Sequence, residues 1–318
     1  MKTIRNLILA AVCAAAQTLP AHADELVLRG GSYSPLEATW GIPFKMFVDH
    51  VNATGKGVLQ ITAVGPEAIP GTEQPNALRS GLLDFVAMPP GTYKSVVPEG
   101  NAQDLSSMSL AEQRASGGYD ALNVITRAKM NAEMLTTYGP GVGFHLYLTK
   151  EIAGIDDLKG MRVRGQPLFG PFSNALGLSM TTVPIPETYT ALERGVVQGY
   201  FFPAWGVQDL GWDKLTKQRV EPSFYNVVVN ILANKDRLAT LTLEQRKVLD
   251  NAVAWFEAEM IGYQAKQAGI HRAAQDAAGI KPLDLGEGFA RKAADAYWAE
   301  LERQHPDTIP ALRAKLQK

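Results

Sequence analysis

Asp157-Leu158-Lys159-Gly160-Met161-Arg162-Val163-Arg164-Gly165, with the chain that follows to Pro203, reads as a turn, a short strand and an arginine where the strand ends. In an extended chain Met161 and Val163 share one side, Arg162 and Arg164 the other. Gln166-Pro167 follows, then an apolar helical spacing at Leu168, Phe172, Ala175 and Leu176. Ser179 to Val183 reads as a second strand. Pro184-Ile185-Pro186-Glu187 opens another helix, with proline where a first turn tolerates it. Such a β-α-β-α run predicts parallel strands. Ligands of parallel sheets gather outside the carboxyl ends of the strands, which is where Arg164 falls. A guanidinium there is a fixed fork of donors suited to a carboxylate, although it also suits pairing with a structural acid.

The order Asp157-Leu158-Lys159-Gly160-Met161-Arg162-Val163-Arg164, Ala175-Leu176-Gly177, Val183-Pro184, Glu187-Thr188-Tyr189-Thr190-Ala191-Leu192 and Gly195-Val196-Val197-Gln198-Gly199 resembles the core signature of the TRAP-transporter periplasmic solute-binding proteins, the DctP-like family. The resemblance implies an α/β, two-lobed periplasmic binding protein of type II-like architecture. Hinge-crossing strands and a long helix would connect its lobes. It also implies that Arg164 binds the ligand carboxylate, and that the partner is an ion-driven TRAP membrane permease.

Residues 1–23 read as a secretory signal peptide. Lys2 and Arg5 precede an apolar run, Leu7 to Ala16, too short to span a membrane, and Ala21-His22-Ala23 is a small-x-small cleavage site. Cleavage there delivers the chain to the periplasm. It also removes Cys13, the one cysteine, so the mature chain has neither a disulfide nor thiol chemistry. Loss of Lys2 and Arg5 moves the net charge from −1 to −3. With no basic stripe, nucleic acid is not an expected partner. The 46% hydrophobic composition suffices for core burial in two lobes, expected at 24–141 with 228–268 and at 142–227 with 269–318.

Glu25 to Arg29 is a predicted strand ended by Gly30-Gly31, and Trp40, Phe44, Phe47, Val48 and Val51 recur at helical spacing. Leu59 to Val64 and Gly81 to Met88 are further strands, with a helix from Glu73 to Ser80 between them. Trp40 belongs to an apolar helical stripe and reads as core. Tyr33 and Tyr93 lie in loops after strands, where a tyrosine offers a ligand both a ring face and a hydroxyl. Ala111 to Met134 reads as mixed helix. Phe144 to Thr149 and Ser223 to Leu232 are expected crossing strands. A helix is expected after Pro203, around Trp205 to Trp212. Thr242-Leu243-Glu244-Gln245 is a capping box that opens a helix running as far as Ala278. Phe289 to Arg303 is the last predicted helix.

No enzyme constellation appears. G-x-S-x-G, H-E-x-x-H and a P-loop are all absent, and His50, His145, His271 and His305 are scattered. No cofactor or metal is expected, and a monomer is. Against the family pattern, Phe144 or His145 stands where many members carry a second arginine. Gln198-Gly199 replaces Asp-Gly, and Phe202 replaces a polar residue before Pro203. One guanidinium suffices for a monocarboxylate. The expected ligand is therefore a monocarboxylate with an aromatic or apolar body, held by Arg164 with Phe144 and Phe202 as walls. Gln166 is expected to hydrogen-bond it and Trp205 to stack on it. A dicarboxylate or sugar acid, presentation to a sensor, and a secreted enzyme remain as alternatives, and so does a purely packing role for Phe144 and Phe202.

Overall fold

The computed structural model describes residues 25–317; the expected signal peptide lies outside them. The first sheet has the order β2-β1-β3-β10-β4, formed by β1 (Leu26–Ser32), β2 (Leu59–Val64), β3 (Phe85–Met88), β4 (Ala132–Tyr138) and β10 (Val229–Asn234). The second has the order β11-β9-β5-β8-β6-β7. It is formed by β5 (Phe144–Leu148), β6 (Arg162–Arg164), β7 (Ser179–Thr181), β8 (Gly199–Pro203), β9 (Gln218–Glu221) and β11 (Lys281–Asp284). As the β-α-β-α pattern requires, β6 runs parallel to both β7 and β8. The helices are α1 (Ile42–Thr54), α2 (Gln74–Ser80), α3 (Pro90–Tyr93), α4 (Leu110–Ala115), α5 (Gly118–Met130), α6 (Gly170–Leu176), α7 (Ile185–Glu193), α8 (Lys235–Ala239), α9 (Leu243–Ala277), α10 (Glu287–Gln304) and α11 (Ile309–Leu316).

Several local expectations change. β1 runs through Gly30-Gly31 instead of ending there. A Cβ at Gly31 would lie 2.7 Å from Leu83 Cδ1, and one at Gly30 would lie 3.2 Å from Phe44 Cζ. The glycines thus admit neighbouring side chains against the strand. Trp40 precedes α1 instead of riding on it, but it is buried as expected. The helical region expected up to Met134 ends at Asn131, which adopts φ 51°, and β4 follows. Its Thr136-Thr137-Tyr138 end carries strand-forming residues that the helical reading passed over. Two short 3-10 turns, Gln208–Leu210 and Trp212–Leu215, replace the helix expected after Pro203.

The chain passes between the sheets at residues 139–143 and 222–228; β5 itself lies wholly in the second sheet, and β10 wholly in the first. The two passages are hydrogen-bonded to each other. Val227 N donates to Val142 O (2.7 Å) and Phe144 N to Tyr225 O (2.7 Å). Gly143 is obligatory here, because a Cβ on it would lie 2.2 Å from Ser223 Cβ.

Helix α9 begins with the predicted box: Thr242 Oγ1 accepts from Gln245 N (3.2 Å) while Gln245 Oε1 accepts from Thr242 N (3.0 Å). Its first half buries Leu249, Ala252, Phe256 and Met260 against α1 and β4. No residue from 261 to 270 is buried. Burial resumes at His271 and Gln275, where Gln275 Nε2 donates to Ala204 O (2.7 Å) beside the second sheet. One helix therefore packs on both lobes and bridges the space between. The end of the chain departs from the expected division, which kept 269–318 in lobe II. Helix α11 packs on α5 and on the 3-10 turn Pro98–Leu105, and Ser106 Oγ donates to Leu316 O (2.6 Å). Leu312 and Leu316 find their apolar partners there.

Candidate ligand site

Arg164 is the last residue of β6, placed by pairing with Thr181 of β7 and Tyr200 of β8. Arg162, two residues earlier on the same side, is exposed and donates to Gly195 O (2.8 Å). Arg164 is only 4% exposed. Its Nε donates to Val183 O (3.1 Å), and its guanidinium carbon lies 5.7 Å from the Trp212 ring centre. Among the described residues it makes no ion pair. Burial lowers its pKa to about 10, so the cation is desolvated without a compensating carboxylate. Such a charge is held at a cost that an incoming anion relieves.

Strand alternation sorts the neighbouring aromatics. On β8, Tyr200 and Phe202 both meet Trp212, at 4.9 and 5.0 Å between ring centres. Phe201 faces the opposite way, against Phe169 (4.9 Å). Arg164, Phe202 and Trp212 therefore form one group. Phe144 does not join it: its ring packs on Phe169 (5.2 Å), the neighbour of Phe201 on the other face. The structure thus separates the two phenylalanines expected to act as joint walls.

The remaining candidates take different places. Trp205 is 3% exposed and lies between Trp40 (5.3 Å) and His271 (5.9 Å), stacked within 15° on both. Tyr93 is fully buried on α3, and its hydroxyl accepts from Asn230 Nδ2 (2.8 Å) inside the first lobe. Burial raises its pKa. Tyr33 is half-buried after β1, with its backbone N–H on Ala87 O (3.0 Å). Gln166 is exposed just beyond Arg164, and its carbonyl accepts from Phe169 N (2.9 Å).

Trp212, Gly206 and Gln208 were not among the expected site residues, and Trp40 was read only as core. Trp212 supplies the ring beside Arg164. Trp40 reaches across to the other lobe, next to Thr39, whose Oγ1 donates to Asp209 Oδ2 (2.6 Å). Gly206, at φ 90°, leaves a notch: a Cβ there would lie 3.7 Å from Phe202 Cε1 and 3.8 Å from Trp40 Nε1. Trp40 Nε1 and both amide atoms of Gln208 are enclosed without a hydrogen-bond partner among the described residues. Buried polar atoms of this kind normally have partners, so their pairing requires something further. Their sequence signal was only that of scattered polar and aromatic residues.

The model of bacterial extracellular solute-binding protein family 7, DctP, matches residues 31–303. The chain belongs to the DctP family. This DctP-family chain is 23% identical over 250 residues to an ectoine/5-hydroxyectoine-binding periplasmic protein of Ruegeria pomeroyi, covering 72% of this chain and 69% of that protein. It is 24% identical over 199 residues to a monocarboxylate 2-oxoacid-binding periplasmic protein of Nostoc sp., covering 58% of this chain and 53% of the relative. The match thus spans only about half the length of the second relative. Its fold is that of a TRAP periplasmic solute-binding protein from Desulfovibrio desulfuricans solved with bound sn-glycerol-3-phosphate. The TM-score is 0.79 at 18% identity, covering 92% of this chain and 95% of that one. The DctP-family chain is accordingly a TRAP-type solute-binding protein with the two-lobed α/β fold, and its family and fold neighbours are binding proteins, not enzymes.

Proposed function

We propose that this protein is a periplasmic receptor that captures a small organic acid through Arg164 and delivers it to a TRAP membrane permease. The observation that carries the reading is the buried, ion-pair-free guanidinium of Arg164 at the carboxyl end of β6. A bidentate carboxylate satisfies such a fork, and in a water-poor cleft the pair is stronger than in solvent. Trp212 beside the guanidinium, with Phe202 meeting it edge to face, supplies apolar ring surface, which favours a monocarboxylate with an apolar or aromatic body. Residues 1–23 act as the cleaved export signal, and the receptor works as a monomer that closes by bending at the paired crossing segments. The relatives' names, as binders of a monocarboxylate 2-oxoacid and of ectoine, are in keeping with a small organic ligand.

A second reading, a hydroxylated or sugar acid, is favoured by Trp40 Nε1 and the Gln208 amide. Trp40 Nε1 would donate a hydrogen bond to the polar end of such a ligand, and the Gln208 amide would both donate and accept. A thermal-shift screen across aromatic monocarboxylates, keto acids, dicarboxylates and sugar acids separates the readings. At about 100 times its dissociation constant, a ligand adds about 2.7 kcal/mol and moves the melting point by several degrees. Stabilisation by aromatic monocarboxylates alone supports the first, and stabilisation by sugar acids alone the second. No response to any acid, or recovery of a chemically altered acid, sinks the receptor reading.

A further inference from the structure

A cavity of about 580 Å³ lies apart from Arg164, between α9 and the two crossing segments. Pro140 to Gly143 and Ser223 form one side, and the α9 face from Ile261 to Gln275 forms the other. Ala265 and Ala268 keep that face shallow, which leaves the space open.

The charges around it do not balance. Arg219 is 2% exposed; its Nε donates to Glu221 (2.8 Å) and its Nη1 to Gln275, while its Nη2 is enclosed and has no acceptor among the described residues. Arg272 brings a second guanidinium from α9, with Nη1 on the same Glu221 (3.2 Å). His145 Nδ1 lies 3.6 Å from Glu221 and 2.9 Å from Val220 O. Burial lowers the pKa of His145, which works against a charge on this ring. Two guanidiniums therefore share one carboxylate, and one positive charge is left over in a partly enclosed space. Water screens a charge there less than at an open surface.

We propose that this cavity is a second binding site, for a compact oxyanion: phosphate, sulfate or a small carboxylate. The anion contacts Arg272 and the Ser223 hydroxyl directly and is drawn in by the charge of Arg219 behind them. Because its walls come from α9 and from both crossing segments, an occupant ties together the parts that a hinge must move. Its occupancy therefore alters the affinity of the cleft that holds Arg164.

The test is calorimetric titration of the purified chain and of its Arg164→Ala variant with phosphate, sulfate and acetate. Ionic strength is held constant with potassium chloride. Saturable binding is expected in both proteins, because the cavity does not use Arg164. Arg272 is half-exposed on a helix, so Arg272→Gln should fold; it is expected to weaken binding about tenfold, and Arg272→Lys to recover part of it. Binding of phosphate or sulfate identifies an inorganic occupant, and binding of acetate alone a second carboxylate; both support the site. The proposal is overturned by an effect that chloride reproduces, by binding that disappears in Arg164→Ala, or by binding indifferent to Arg272→Gln.

Discussion

Replacing Arg164 with methionine separates what this residue costs the fold from what it contributes to binding. Methionine keeps most of the volume and removes the charge. Burial lowers the Arg164 pKa from 12.5 to about 10, which at 1.36 kcal/mol per unit corresponds to roughly 3 kcal/mol of desolvation. The variant is freed of that penalty. Against it stands Val183 O, which loses its donor and costs about 1–3 kcal/mol if left unpaired. The ligand-free variant should thus be as stable as the parent, or up to about 2 kcal/mol more stable, in urea unfolding. Binding moves the other way. Removing one partner of a buried charge pair costs about 2–5 kcal/mol, so the dissociation constant of the organic acid should rise from ~30-fold to several thousandfold by calorimetry. A variant that binds as tightly as the parent would falsify the assignment of Arg164. A ligand-free variant that loses several kcal/mol would show instead that the arginine is a structural element.

Other consequences can be measured separately. Burial raises the Asp104 pKa from 3.8 to about 7, so the folded state holds a proton that the unfolded state releases. The resulting stabilisation, up to ~4 kcal/mol, is complete below about pH 4 and is lost as pH rises to 7. Asp104→Asn should flatten that part of the stability curve, and an unchanged slope would exclude Asp104 as its source. Gly143→Ala pushes a Cβ into Ser223 and should destabilise by about 1–3 kcal/mol, with Ser223→Gly restoring much of the loss; simple additivity in the double mutant would contradict the close approach. Thr242→Ala removes the cap of α9 and should cost about 1 kcal/mol in thermal or urea unfolding, whereas no loss would mean that tertiary packing alone holds that end.

The features legible in the sequence were those set by neighbours along the chain. The Asp157 to Arg164 turn and strand, the proline-led α7 and the capping box of α9 depend on a few adjacent residues, and each is found where the pattern placed it. Arg164 at a strand's end follows from the same local order. What lay beyond such reading depends on partners distant in sequence. Gly30-Gly31 looked like a strand end because Phe44 and Leu83, which explain those glycines, are not local. The return of α11 to the first lobe turns on Leu312 and Leu316 reaching an apolar surface built from far upstream.

The candidate site divides in the same way. Sequence alone determined the alternating α/β pattern and the arginine at a strand's end, because periodicity, turn residues and caps act over one or two turns of chain. The lobes and crossing strands were implied by the family resemblance, and the first passage lies at 139–143, ahead of the Phe144–Thr149 strand expected to make it. Only the tertiary structure decided which aromatic rings accompany that arginine. Phe144 and Phe202 belong to antiparallel strands of one sheet, and the register between those strands sends their side chains to opposite faces. Trp212 reaches Arg164, and Trp40 stacks on Trp205, through contacts between segments that share no local pattern. Face and register arise from pairing across the sheet, and a linear sequence carries them only through the packing they finally satisfy.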